Sequence, residues 1–189
     1  MKETLLRRRT IRLYKQVDVA RKDLEDLIDV ARTTSTASNS QLLRYIVVQT
    51  PQLAQEVFKH TAWAALVKPN RTPVWDVSAP RTFIAVIAPV DAKPITFADA
   101  GAAIQSMQAL ATHKGLGCCW LGAINRQRLK EIFRLNDAQQ VLFLLAVGVP
   151  DEKPVSEDVD SPDKVDYYLD DQNILHVPKL DAKSVATWR

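Results

Sequence analysis

The sequence predicts an α+β fold: one domain of 189 residues with a central mixed β-sheet flanked by helices, and an extended C-terminal arm. Three observations predict it. Segments with a helical apolar period are interleaved with short β-branched runs. The glycine-rich strand-to-helix fingerprints GxGxxG and GxxxxGK[ST] are both missing, which excludes the common nucleotide-binding α/β folds. Beyond Pro150 the chain turns acidic and loses any sustained helical period.

Leu24, Leu27, Ile28 and Ala31 recur at helical spacing, so Val19 to Arg32 reads as an amphipathic helix with Asp18 as its cap. Thr33 to Gln41 is rich in hydroxyl residues, contains no long apolar side chain, and reads as a loop. Tyr45-Ile46-Val47-Val48 is a strand, and Thr50-Pro51 opens a helix that turns Leu53, Val57 and Phe58 inward. Lys68 to Pro80 is a proline-rich loop carrying an exposed Trp75. Phe83 to Ala88 is a strand, and Phe97 to Lys114 is the longest helix, stopped by Gly115. Ala98, Gly101, Ala102 and Gln105 give that helix a small-residue face, while Ile104, Met107, Leu110 and Ala111 form a second apolar stripe. A short helix capped by Asn125 and a buried strand from Val141 to Val149 follow. Tyr167-Tyr168-Leu169 and Ile174-Leu175 lie on an arm with no core of its own, which together with the small-faced helix predicts a homodimer.

Hydrophobic residues make up 47% of the chain and charged residues 25%, an ordinary globular composition. Residues 151–189 carry ten acidic and five basic side chains, so the net +3 divides into −5 for the tail and +8 for the rest. Such a tail disfavours nucleic acid as a partner. The longest strongly apolar run is too short for a membrane helix, and the start of the chain lacks the apolar core of a secretory signal, so a cytoplasmic location is expected. Cys118 and Cys119 are adjacent, which suits two small buried hydrophobes better than a disulfide or a redox pair. His60, His113 and His176 are dispersed, so no metal site is expected. No nucleophile elbow or triad spacing occurs, and no side chain is assigned a catalytic role.

The segment Leu6-Arg7-Arg8-Arg9-Thr10-Ile11-Arg12 concentrates four guanidinium groups and a hydroxyl. Arginine binds phosphate through a planar fork of donors, so the cluster suits one compact polyanion such as the terminal phosphate of a cofactor. A solvated basic helix start, or an arm for nucleic acid or acidic lipid, fits those residues alone equally well. The loop Ser35-Thr36-Ala37-Ser38-Asn39-Ser40-Gln41 is likewise open to two readings, a binding loop or a polar loop whose side chains satisfy its own backbone.

Three motifs together resemble the nitroreductase family of flavin mononucleotide (FMN) enzymes, over residues 5–150. Arg8-Arg9-Thr10-Ile11-Arg12 is similar to the family's opening motif, which implies that Arg8, Thr10 and Arg12, with Arg9, hold the FMN phosphate and ribityl chain. The 35–41 loop resembles the family pattern P-S-x-x-N-x-Q-P-W, with Asn39 and Gln41 matching, Ser35 replacing the proline, and Leu42-Leu43 replacing the last two residues. In the family this loop reaches the flavin from the partner subunit, which implies cofactor-binding roles for Ser35, Thr36, Ala37, Asn39 and Gln41 across a dimer. Gly115-Leu116-Gly117-Cys118-Cys119-Trp120-Leu121-Gly122 resembles the family turn G-L-G-x-x-W-[IL]-G. It implies that Trp120, Leu121 and Gly122 lie beside the ring, with the Gly122 backbone as donor toward its N5 edge; Trp120 also reads as a core residue. The family's basic residue after the last strand is replaced by acidic Val155–Asp160, which leaves Lys153 or Lys164 to fold back. The tail resembles those that embrace the partner in short family members. The resemblance implies an FMN-dependent oxidoreductase that moves a hydride from NADH or NADPH to a small acceptor such as a nitroaromatic or quinone in ping-pong fashion. A flavin-binding protein without reductase activity is the alternative, followed by a basic nucleic-acid module. Residues 60–80 are where the choice of nicotinamide cofactor would reside.

Overall fold

The computed structural model describes residues 1–189. A short helix α1 (Lys2–Arg7) precedes an extended segment through Tyr14, then come α2 (Arg21–Arg32), β1 (Arg44–Val48), α3 (Pro51–Phe58), β2 (Thr82–Pro89), α4 (Pro94–His113), β3 (Gly117–Leu121), α5 (Arg126–Ile132) and β4 (Gln139–Gly148). The tail adds β5 (Val155–Val159), β6 (Tyr168–Leu169), β7 (Leu175–Leu180) and the single turn α6 (Ala182–Val185). The fold is α+β. None of its helices is long and apolar enough to cross a membrane.

The central sheet runs β1-β2-β4-β3 with these four strands all antiparallel, and its one parallel neighbour is the extended segment at Thr10, which bridges Cys118 on the outer edge of β3. Its middle strands are buried on both faces, which explains their unbroken apolar sequences. Phe83, Ala85 and Ile87 of β2 face one layer with α3, α5 and Trp63, while Ile84, Val86 and Ala88 face α2 and α4. The register shifts between Val86 and Ile87, so that β4 pairs through Phe143 and then Val141. Leu142 is the extra residue of this bulge and points to the α2/α4 side, with Val141 and Leu144 on the other.

Asp18 does not cap α2, whose first turn follows Ala20; it pairs instead with Arg81, 3.1 Å away. Trp75 is not a free surface ring but packs on Phe58 with centroids 5.7 Å apart. Strand β3, which reads as a turn because glycines bracket it, is a full edge strand paired with β4. Asn125 caps α5 as expected, accepting the Arg128 N–H at 3.1 Å.

The tail forms a second, smaller sheet. Its β5 pairs in parallel with β7, and β7 pairs antiparallel with β6. This small sheet closes on its own chain: Leu175 is buried in the same cluster as Trp63 and Val57, and Tyr167, Leu169 and Val177 pack against it. The Tyr167 hydroxyl accepts the Leu66 N–H at 3.3 Å. Within one chain Leu175 is fully covered, whereas Val165, Tyr168 and Trp188 stay exposed.

Candidate functional site

The extended segment after α1 is laid along the outer edge of β3. Thr10 bridges Cys118 in parallel, and the Ile11 N–H donates to the Cys118 carbonyl at 3.0 Å. Glycine makes this approach feasible: a Cβ on Gly117 would fall 2.5 Å from Ile11 Cγ1, and one on Gly148 would fall 2.7 Å from the Tyr14 ring. Backbone pairing thus joins the arginine motif to the motif of Trp120, Leu121 and Gly122.

Arg7, Arg8 and Arg9 line a cavity of about 800 Å³ together with Lys15 and Lys153, between the C-terminal end of α4 and the residues after β4. Of the two lysines able to fold back, Lys153 does so, whereas Lys164 is held in the tail by Asp160 at 2.8 Å. Lys15 gave no local signal, since its approach depends on the bridge between Tyr14 and Pro150. Arg9 Nη1 donates to the Arg8 carbonyl at 2.5 Å, but its Nε is buried with no hydrogen-bond partner. Partial burial, then the neighbouring Arg8 charge, lower the Arg9 pKa, so this cluster favours an anion. Arg12 is turned elsewhere, with its guanidinium carbon 4.8 Å from the centre of the Tyr167 ring. The chain therefore gathers Arg8 and Arg9, and does not bring Arg12 to the same cavity. Thr10 lies half-buried between them.

At the far end of β3, Trp120 is 39% exposed and stands edge-on to Phe143, 5.1 Å away. Leu121 is buried and Gly122 exposed. A Cβ on Gly122 would meet only the Phe143 ring, at 3.9 Å. Nothing in this chain's own packing demands glycine at 122, and the space beside it is open to a ligand. The thiols of Cys118 and Cys119 are buried, and desolvation raises both pKa values, that of Cys119 to about 12. They stay protonated and act as packing groups.

The 35–41 loop is built from its own contacts. Buried Asp99 of α4 accepts the Ala37 N–H at 3.0 Å, the Thr36 hydroxyl accepts the Gln41 N–H at 3.2 Å, and the Gln41 amide donates to Asn39 Oδ1 at 3.0 Å. Ser38, Asn39 and Gln41 have positive φ values of 52°, 51° and 47°. Three such residues in four store strain of the kind that collects at binding sites. Ser35 is exposed. The loop touches α4 at Asp99 while Trp120 touches it at Gly101. Two residues along a helix are about 200° apart, so loop and tryptophan sit on opposite faces of α4. A single chain does not bring Asn39 and Gln41 to Gly122.

The sequence model of the nitroreductase family matches residues 5–149. The chain belongs to the nitroreductase family. Membership makes it an oxidoreductase, and the matched span runs from α1 through β4, the part that carries all three motifs. A protein of Archaeoglobus fulgidus provisionally named NADH dehydrogenase/NAD(P)H nitroreductase is 23% identical over 171 residues, covering 84% of this chain and 91% of that protein. The structure of a nitroreductase family protein from Clostridium novyi NT superposes with a TM-score of 0.68 at 24% identity, covering 79% of this chain and 84% of that one. An FMN-dependent nitroreductase from Clostridium difficile R20291 gives 0.67 at 21% identity, covering 80% and 88%. Likeness at this level establishes the nitroreductase fold.

Proposed function

We propose that this nitroreductase family member is an FMN-dependent NAD(P)H oxidoreductase that reduces small oxidised acceptors such as nitroaromatics or quinones, working as a homodimer. The observation that carries the reading is the basic cavity at one end of β3 and the open Gly122 at the other. Arg8, Arg9, Lys15 and Lys153 surround a space suited to one phosphate, and the orphaned Arg9 Nε is a buried donor in search of an acceptor. Gly122 leaves room for a flat ring to approach the backbone after β3. When bound, FMN supplies the hydride-accepting ring, which NADH or NADPH and then the acceptor reach in turn.

This chain's residues bind and orient. The arginines hold the phosphate by charge-assisted hydrogen bonds, and a backbone N–H at Gly122 offers a fixed donor that does not titrate. The partner's 35–41 loop would complete the ring end, with its Ser35, Thr36, Ala37, Asn39 and Gln41. Support for the dimer now rests on α4: Ile95, Phe97, Ala98, Ala102 and Gln105 are exposed on a helix whose other face is buried, and Phe97 is 42% exposed.

The absorption spectrum of the purified protein tests the cofactor: a flavin spectrum, with FMN released on denaturation at one per chain, is expected. Anaerobic NADH or NADPH should bleach it, and a quinone should restore it. A colourless protein that takes up no added FMN overturns the reading, and one that binds FMN but is not bleached is a flavin-binding protein without reductase activity. Sedimentation at micromolar concentration should show a dimer; a monomer with full flavin occupancy contradicts the shared site.

A further inference from the structure

The residues after β4 carry a carboxylate where a phosphate site is least expected to tolerate one. Glu152 lines the arginine cavity, yet its side chain is only 5% exposed. Its Oε1 accepts two successive backbone N–H groups, those of Arg12 at 2.5 Å and Leu13 at 3.1 Å. Its Oε2 lies 2.9 Å from Nε of Arg71, whose side chain is also 5% exposed. This contact is one of charges rather than an aligned hydrogen bond, because neither atom completes one. Arg71 ties this pair to the tail turn, Nη2 donating to the Asn173 carbonyl at 2.6 Å and Nη1 to Asn173 Oδ1 at 3.2 Å, while Nη1 also donates to the Asn70 carbonyl at 3.1 Å.

Buried ion pairs of this kind contribute little net stability compared with apolar residues of the same volume, so stability alone is a poor reason for the pair. Its geometry suggests another. The carboxylate holds the backbone two residues from the Thr10 bridge, and so sets the register in which Arg8 and Arg9 enter the cavity. A bare carboxylate there would repel a phosphate, and Arg71 answers that charge from behind.

We propose that Glu152 is a positioning residue for the cofactor phosphate, acting through the Arg12 and Leu13 N–H groups, with Arg71 as the counter-charge that makes it tolerable beside an anion. This rests on the FMN reading above. The test compares dissociation constants of the apoprotein for FMN and for riboflavin, which has the same ring and ribityl chain without the phosphate. Two double variants avoid leaving a buried charge unpaired. Arg71→Met/Glu152→Gln keeps an amide oxygen for the two N–H groups, while Arg71→Met/Glu152→Leu does not. The first should retain most of the wild-type preference for FMN over riboflavin. The second should lose about ten-fold of it, the usual cost of removing an outer partner of a binding group. Riboflavin binding should be similar in both, reporting that the site is folded. Equal FMN preference in the two doubles overturns the inference while leaving the FMN reading intact. A wild-type protein that binds riboflavin as tightly as FMN overturns the phosphate reading and this inference with it.

Discussion

At the phosphate end of the candidate site, Arg8 and Arg9 share a cavity with Lys15 and Lys153 because the first extended segment is hydrogen-bonded along β3. At the ring end, Gly122 opens to solvent and the 35–41 loop is turned away across α4, fastened to Asp99. The first end is finished by one chain; the second exposes Phe97 and Trp120 and lacks a wall. In the proposed dimer the site would be divided: charges that must be spaced within an ångström or so are fixed by backbone pairing inside the chain, and the missing wall would come from the 35–41 loop of a second copy.

Crowding the ring end should have the largest effect. Gly122→Val places its branch in open space as far as this chain is concerned, so the thermal midpoint should hardly move while turnover falls about a hundred-fold, as misplacing a reacting group does. Unchanged turnover would remove Gly122 from the site. At the phosphate end, Arg8→Ala should weaken FMN binding roughly ten- to a hundred-fold, with excess FMN restoring most activity. Arg12→Ala should cost less than Arg8→Ala, because its guanidinium lies over Tyr167. Equal losses in an equilibrium flavin titration would mean that Arg12 swings into the cavity when the phosphate arrives.

The seam between the ends is weaker in function but sensitive in stability. Gly117→Ala should destabilise the protein by about 1–3 kcal/mol, since the new methyl would overlap Ile11, with denaturant midpoints as the readout. A neutral result would show that the first segment is not seated on β3. The smallest effect lies in the tail, where His176 Nε2 is 3.1 Å from Asp170 and Nδ1 is 3.4 Å from Glu157, with the Tyr168 ring stacked 4.8 Å away. The Asp170 hydrogen bond, and then Glu157, raise the His176 pKa above its ordinary 6.5. A raised histidine stabilises the fold fully below that ordinary value, and the contribution is lost as pH rises through the raised one. Proton NMR of the imidazole should titrate above 6.5, and β6 amides should exchange faster on the alkaline side; a midpoint at or below 6.5 would contradict the contact.

Elements with a clear local period are legible in the sequence: α4 with its Gly115 stop, the doubly buried β2 and β4, and α5 with its Asn125 cap. Features decided by distant partners are not. Asp18 has the residue type of a helix cap, but Arg81 claims it; β3 looks like a turn until β4 pairs with it; the tail has no core until Trp63 and Val57 receive Leu175. The arginine motif was legible as a cluster of charge. Its division, with Arg8 and Arg9 in the cavity and Arg12 on Tyr167, was not, because Tyr167 and Glu152 lie far along the chain and leave no trace near residue 12.

That distance has a consequence for how the molecule comes into being. The Arg12 N–H and its carboxylate acceptor are separated by 140 residues, and the Thr10 bridge awaits Cys118. Local structure alone does not place the arginines, which need both β3 and Glu152 from far along the chain. Closing so long a loop is slow and comes after local helices have formed. The arginine cavity is therefore expected to mature late in folding, and FMN added during refolding should bind only after the central sheet has closed.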